Sequence, residues 1–159
     1  MEDMRILLKF ILDCEPDTAW RAIRSPAVFR AVSAPFTTFE SLEPGGFPKL
    51  WSAGVHPVRG KAFGLLPMGD QVIDISFGEA RGATRLVHDD GGGLSGLLTL
   101  VTDWHHTMAV SPTADGRTLY RDQLRFRVGP ITLLAWPLYW VFWQWRGARI
   151  RSLALSWKA

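Results

Sequence analysis

Thr118-Leu119-Tyr120-Arg121-Asp122-Gln123-Leu124-Arg125-Phe126-Arg127-Val128 leads through Gly129-Pro130 into Ile131-Thr132-Leu133-Leu134-Ala135-Trp136-Pro137-Leu138-Tyr139-Trp140-Val141-Phe142-Trp143. The period of the chain changes at Gly129-Pro130. Before it, residues alternate. Arg121, Gln123, Arg125 and Arg127 fall on one face, and Tyr120, Asp122, Leu124, Phe126 and Val128 on the other, the two-residue period of a strand. Four solvating side chains mark the first face as outer, so Tyr120, Asp122 and Phe126 point inward. After Pro130 the spacing is helical. Trp136, Trp140 and Trp143 lie four and three apart, and Gly147, Ile150 and Trp157 extend the stripe. A sheet therefore ends at Val128, and a long helix is predicted from about residue 131 to 157. Pro137 marks either its true start or a kink.

Working back from that strand, Pro112-Thr113-Ala114-Asp115-Gly116 reads as a hairpin loop. On the strand before it, Asp103, His105 and Thr107 share the outer face. Trp104, His106, Met108 and Val110 share the inner one. Closing the hairpin around Ala114 sets His106 opposite Asp122, Met108 opposite Tyr120 and Trp104 opposite Leu124, with opposed Cβ atoms about 5 Å apart. Leu97–Val110 is expected as one long, bent strand. Thr84–His88 and Gln71–Phe77 read as strands, the latter with Ile73, Ile75 and Phe77 on one face. Trp51–Phe63 is a less regular one. Gly64-Leu65-Leu66-Pro67-Met68-Gly69 and Asp89-Asp90-Gly91-Gly92-Gly93 read as turns, the second flexible.

At the other end, Ile6, Leu8, Phe10 and Leu12 alternate with Arg5, Lys9 and Asp13 in a first strand. Glu15-Pro16-Asp17 opens a helix, since proline suits the first helical position and acids the first turn. Ser25-Pro26 breaks it and starts a second short helix with Val28, Phe29 and Val32 on its apolar side. The order is strand, two short helices, a run of antiparallel strands and one long helix. A sheet of that size must cover a face, and the long helix is the available cover. The fold class is α+β, a curved antiparallel sheet wrapped around a long C-terminal helix, with one domain over residues 1–159.

This order resembles the START-like, helix-grip superfamily known as SRPBCC, in particular its bacterial polyketide cyclase/dehydrase-like members. Glu15-Pro16-Asp17-Thr18-Ala19-Trp20 resembles the family's first helix. Phe63-Gly64-Leu65-Leu66-Pro67-Met68-Gly69 resembles a turn of some bacterial members. Trp104-His105-His106 with Tyr120-Arg121-Asp122 resembles the late hairpin. The resemblance implies an apolar cavity between sheet and helix. It also implies a hydrophobic or lipid-like small-molecule ligand, with chemistry in only some members.

Composition narrows the alternatives. The chain has 159 residues, 47% hydrophobic and 21% charged, which suits a globular fold rather than disorder. One cysteine, Cys14, excludes an internal disulfide and a cysteine zinc site. A net charge of +3 is too weak to argue for nucleic acid, and none is expected as a partner. Acids precede the first apolar run and Lys9 interrupts it, so no signal peptide is read and a cytoplasmic place is expected. Ile131–Trp143 would span only about 20 Å as helix, short of the roughly 30 Å of a bilayer core.

The candidate site follows from the inner faces. Phe10, Ile73, Ile75, Trp104, Met108, Phe126, Trp136 and Trp140 are expected as hydrophobic walls. His106, Tyr120 and Asp122 are expected as the few polar groups that orient a ligand. A carboxylate-oriented histidine in a cavity can hold or protonate a ligand oxygen, so His106 and Asp122 are candidates for acid–base catalysis. They equally suit a satisfied buried pair that fixes the fold, since a buried charge needs a partner. No metal and no cofactor is expected. His105 and His106 point to opposite faces of a strand, and no ligand spacing is present.

Five of the eight tryptophans lie between residues 136 and 157. Three on one stripe amount to about 600 Å², at the upper end of an exposed patch on a monomer. The sheet is the expected cover, with the bulky half of the helix over the cavity and the half bearing Arg146, Arg149 and Arg151 running out to solvent. A homodimer contact and a membrane surface are the other covers such a stripe allows.

Overall fold

The computed structural model describes residues 4–157. In chain order the elements are β1 (Met4–Leu12), α1 (Pro16–Ile23), α2 (Pro26–Ser33), β2 (Thr37–Ser41), β3 (Gly54–Ala62), β4 (Leu66–Ala80), β5 (Thr84–Asp89) and β6 (Gly92–Gly93). A 3-10 turn (Gly96–Leu100), β7 (Asp103–Pro112), β8 (Thr118–Arg127) and α3 (Thr132–Ala154) complete the series. The strands of the described residues make one antiparallel sheet in the order β1-β8-β7-β5-β4-β3-β2, with β6 attached to β4. The long helix grips the sheet across β1 and meets α2. Among the described residues, no helix is long and apolar enough to cross a membrane.

The alternation read from β1 and β8 is realised. Ile6 and Leu12 are buried while Leu7 and Ile11 are exposed. Tyr120, Asp122, Leu124 and Phe126 are buried, whereas Arg121 is exposed and Arg125 and Arg127 are half-buried. Both short helices start on a proline, and Ser25 caps α2 by accepting a hydrogen bond from the Val28 amide at 3.3 Å.

The structure corrects several expectations. The hairpin between β7 and β8 is centred on Asp115, so Trp104 faces Phe126, His106 faces Leu124 and Met108 faces Asp122. The cause is a five-residue loop, Thr113–Arg117, closed by the Thr113 amide on the Arg117 carbonyl at 2.9 Å. Asp115 holds it shut by accepting from the Thr113 hydroxyl and the Arg117 guanidinium. The slip is two residues, so every side chain keeps its face. Residues 96–100 form the 3-10 turn rather than strand. The segment 64–69 is mostly strand, because the β3–β4 turn ends at Leu65. The short strand β2 escaped the sequence reading, since Thr37-Thr38-Phe39-Glu40-Ser41 has no clear alternation.

Gly91-Gly92-Gly93 is no loose turn. A Cβ on Gly91 would overlap the Val72 carbonyl, and one on Gly93 the Leu98 carbonyl. The glycines let backbone pack on backbone, and the segment lies against β4 as β6.

The largest correction concerns α3. Its buried face carries Trp143, Arg146, Gly147, Ile150 and Ala154. Trp143 is 2% exposed and Trp140 is 43% exposed. Gly147 sits where a Cβ would lie 3.0 Å from the Leu8 side chain, so this face is the one that can approach β1. The helix is thus rotated from the Trp136–Trp140 stripe, and its burial is reversed along its length. The arginine-bearing half enters the core, while Leu133, Leu134, Leu138 and Val141 are exposed.

Trp143→Ala is expected to cost about 3–5 kcal/mol and Trp140→Ala under about 1 kcal/mol, measured by urea unfolding. Equal midpoints for the two variants would contradict this orientation of the helix.

Candidate ligand-binding site

A cavity of about 520 Å³ lies between the sheet, α2 and the middle of α3. That falls within the roughly 300–1,000 Å³ of small-molecule sites. The helix α2 contributes Val28, Phe29, Val32 and Ser33. Ile73 and Ile75 come from β4, and Trp104, His106 and Met108 from β7. Tyr139, Phe142, Trp143, Arg146 and Ile150 come from α3. The wall is apolar apart from a few polar side chains, which is what the inward alternation of β4 and β7 dictates.

Of the residues expected at the site, Ile73, Ile75, Trp104, His106 and Met108 line this cavity. Tyr120, Asp122 and Phe126 stand behind the lining as core, and Phe10 packs on Tyr120 with ring centroids 5.1 Å apart. Trp136 and Trp140 lie away from the cavity, against each other at 6.4 Å, and the Trp136 indole donates to the Arg5 carbonyl at 3.3 Å. Sequence reasoning missed Arg146, Ser33 and Asp89. For Arg146 the available signal was its place three residues after Trp143, on the same helical face.

The polar heart of the site is built on Asp122. Its Oδ1 contacts His106 Nε2 at 2.9 Å and accepts from Trp143 Nε1 at 2.9 Å. Its Oδ2 accepts from the Tyr120 hydroxyl at 2.6 Å. His106 reaches Asp122 diagonally across the hairpin, a separation open to a long side chain. Burial alone would raise the Asp122 carboxyl. The charge and hydrogen bond of His106, the Arg146 guanidinium and the Tyr120 hydroxyl outweigh it and bring the pKa down to about 2. Tyr120 is pushed well above its ordinary value, by burial first and then by the Asp122 charge. The ring of Trp143 stands edge-on to His106 at 5.0 Å.

Asp89 is a second carboxylate at the wall. Its Oδ1 accepts from the Asp74 and Gly91 amides, both at 3.0 Å, and its Oδ2 from Trp104 Nε1 at 3.4 Å. Burial raises its pKa despite the opposing charge of His106. On the outer face His105 sits between Asp90 and Asp103, at 2.7 and 2.9 Å. Among the described residues, no three His, Cys, Asp or Glu groups are placed to hold one metal ion.

The mouth of the cavity has a common character. Phe63, Met68, Leu98, Val101, Leu138 and Val141 reach it from the β3–β4 turn, the start of β4, the 3-10 turn and its C-cap, and α3. The contributing stretches 62–69, 91–102 and 128–145 contain no charged residue.

No family model matches the sequence, and no curated protein matches it. Solved structures do. The protein CV1439 from Chromobacterium violaceum superposes with a TM-score of 0.62 at 16% identity, over 94% of this chain and 96% of its own. Protein jhp0584 from Helicobacter pylori gives a TM-score of 0.67 at 10% identity, over 96% and 88%. Norcoclaurine synthase from Thalictrum flavum, in complex with dopamine and hydroxybenzaldehyde, gives 0.61 at 16% identity, over 99% and 90%. The likeness is one of fold: the chain shares with these structures a curved antiparallel sheet gripping a long C-terminal helix.

Asp122→Asn is expected to destabilise the protein by about 3–5 kcal/mol, because the buried charge is lost and one of the two oxygens bonded to His106, Tyr120 and Trp143 becomes an N–H donor. The folded carboxyl titrates below its unfolded value, so its stabilisation is full above pH about 4 and fades as pH falls through about 2. The urea midpoints of wild type and variant should therefore converge between those pH values. A constant gap would contradict the role given to the carboxylate.

Proposed function

We propose that the protein binds a hydrophobic small molecule, lipid-like or polyketide-like, between the sheet and α3. The observation that carries this reading is the apolar cavity of about 520 Å³. A wall of aliphatic and aromatic side chains favours an apolar body, and a few convergent polar groups orient it. The charge-free mouth gives an apolar ligand a path from a lipid surface into the cavity. Single-cysteine composition suits a cytoplasmic place for such a carrier.

Native mass spectrometry of the protein purified from its own host is expected to show a retained non-covalent mass. Met108→Trp, which fills the cavity, is expected to abolish it while leaving the fold intact by circular dichroism. Wild-type protein with no retained mass and no binding of an apolar fluorophore would overturn this reading. For the mouth, Leu138→Glu with Val141→Glu is expected to abolish co-sedimentation with lipid vesicles. Dimer dissociation in the variant, without any vesicle binding by the wild type, would assign the rim to a second copy instead.

A cyclase-type enzyme is the second reading. What favours it is the His106 ring at the wall, held through Nε2 by a buried carboxylate in the manner of an oriented acid–base group. Conversion of a cyclisable poly-β-ketone chain, lost in His106→Gln with ligand binding kept, is the outcome it requires.

A further inference from the structure

Arg146 is the one feature of the cavity that an apolar ligand leaves unexplained. It is 4% exposed, and its guanidinium lies over the Trp143 ring with Cζ 4.7 Å from the centroid. Nη1 donates to the Ser33 hydroxyl at 3.3 Å. Nε is buried and has no hydrogen-bond partner among the described residues. No carboxylate among them forms an ion pair with this guanidinium. The Asp122 carboxylate, which feels its charge through space, is already engaged by His106, Tyr120 and Trp143.

With the Asp122 charge acting only through space, the guanidinium has no direct carboxylate partner, and a buried cation in an apolar wall is costly unless its donors are met. The bond to Ser33 through Nη1 holds one arm of the group and leaves the edge formed by Nε and Nη2 without a hydrogen-bond partner among the described residues. That edge presents two parallel N–H donors, the geometry that matches a carboxylate or a phosphate oxygen pair. The stacking on Trp143 keeps the plane from turning away. His106 lines the same cavity, and the only hydrogen bond of its ring among the described residues is made through Nε2.

We propose that the ligand is an amphipathic anion. Its apolar body fills the cavity between β4, β7 and α2, and its head, a carboxylate or a phosphate ester, pairs with the free edge of Arg146. This rests on the reading of the cavity as a ligand site and adds the chemical class of what it takes. Ser33 acts as the positioning residue that holds one arm of the guanidinium.

Titration calorimetry with dodecanoate, dodecyl phosphate and 1-dodecanol tests it, since the three share a chain and differ in the head. Wild-type protein is expected to bind at least one of the anions ten-fold or more tightly than the alcohol, and the better anion identifies the head. Arg146→Met is expected to lower anion affinity at least ten-fold and leave the alcohol unchanged. Arg146→Lys should recover part of the loss. Equal affinity of the wild type for all three would overturn the anion assignment while the cavity reading stands, and this comparison needs no variant to fold. Failure of all three to bind would overturn both.

Discussion

One carboxylate, that of Asp122, holds the interior together. It comes from β8, its partners come from β7 (His106), β8 (Tyr120) and α3 (Trp143), and it is itself 2% exposed. An ionised group in such a place is tolerable only when several donors converge on it. Those donors tie the hairpin to the helix with directional bonds that apolar packing alone would not supply. The rotation of α3 follows, because Trp143 must present its indole N–H toward the sheet. Gly147 and Ile150 then lie against β1 and the core, and Trp136 and Trp140 are turned outward.

That rotation makes the cavity what it is. With Trp143 in the floor, the next turn of the helix carries Arg146 into the wall beside Ser33 of α2. The turns before it bring Tyr139 and Leu138 to the mouth. The Arg146 charge and the Asp122 charge are buried close enough to act on each other, yet each has its own contacts. Polar groups are thereby confined to one side of an otherwise apolar chamber. A ligand bound there would be oriented by chemistry and not only by shape.

The exposed leucines of α3 belong to the same arrangement. Turning an all-round apolar segment so that one face enters the core leaves its other faces outside. Leu134 and Leu138 are 77% and 74% exposed, and Leu65 of the facing turn is 85% exposed. Large apolar side chains are thus left exposed on both elements.

The sequence by itself determined the α+β class, the broad element order apart from β2, β6 and the 3-10 turn, and the faces of the β1, β7 and β8 residues, because period-two alternation is written locally. It placed Trp104, His106 and Met108 inward and Arg121 outward for that reason. It also put a buried acid next to a buried histidine. Tertiary structure alone decided the register of the β7–β8 hairpin, since the Asp115 contacts with Thr113 and Arg117 set the loop length. It alone decided which face of α3 is buried. Residues 131–145 are apolar on all sides, so hydrophobic periodicity cannot choose among faces there. The choice came from a hydrogen bond to Asp122 and from the closeness Gly147 permits, both long-range contacts. For the same reason Arg146 reads as a surface residue in the sequence and stands in the structure as a buried cation.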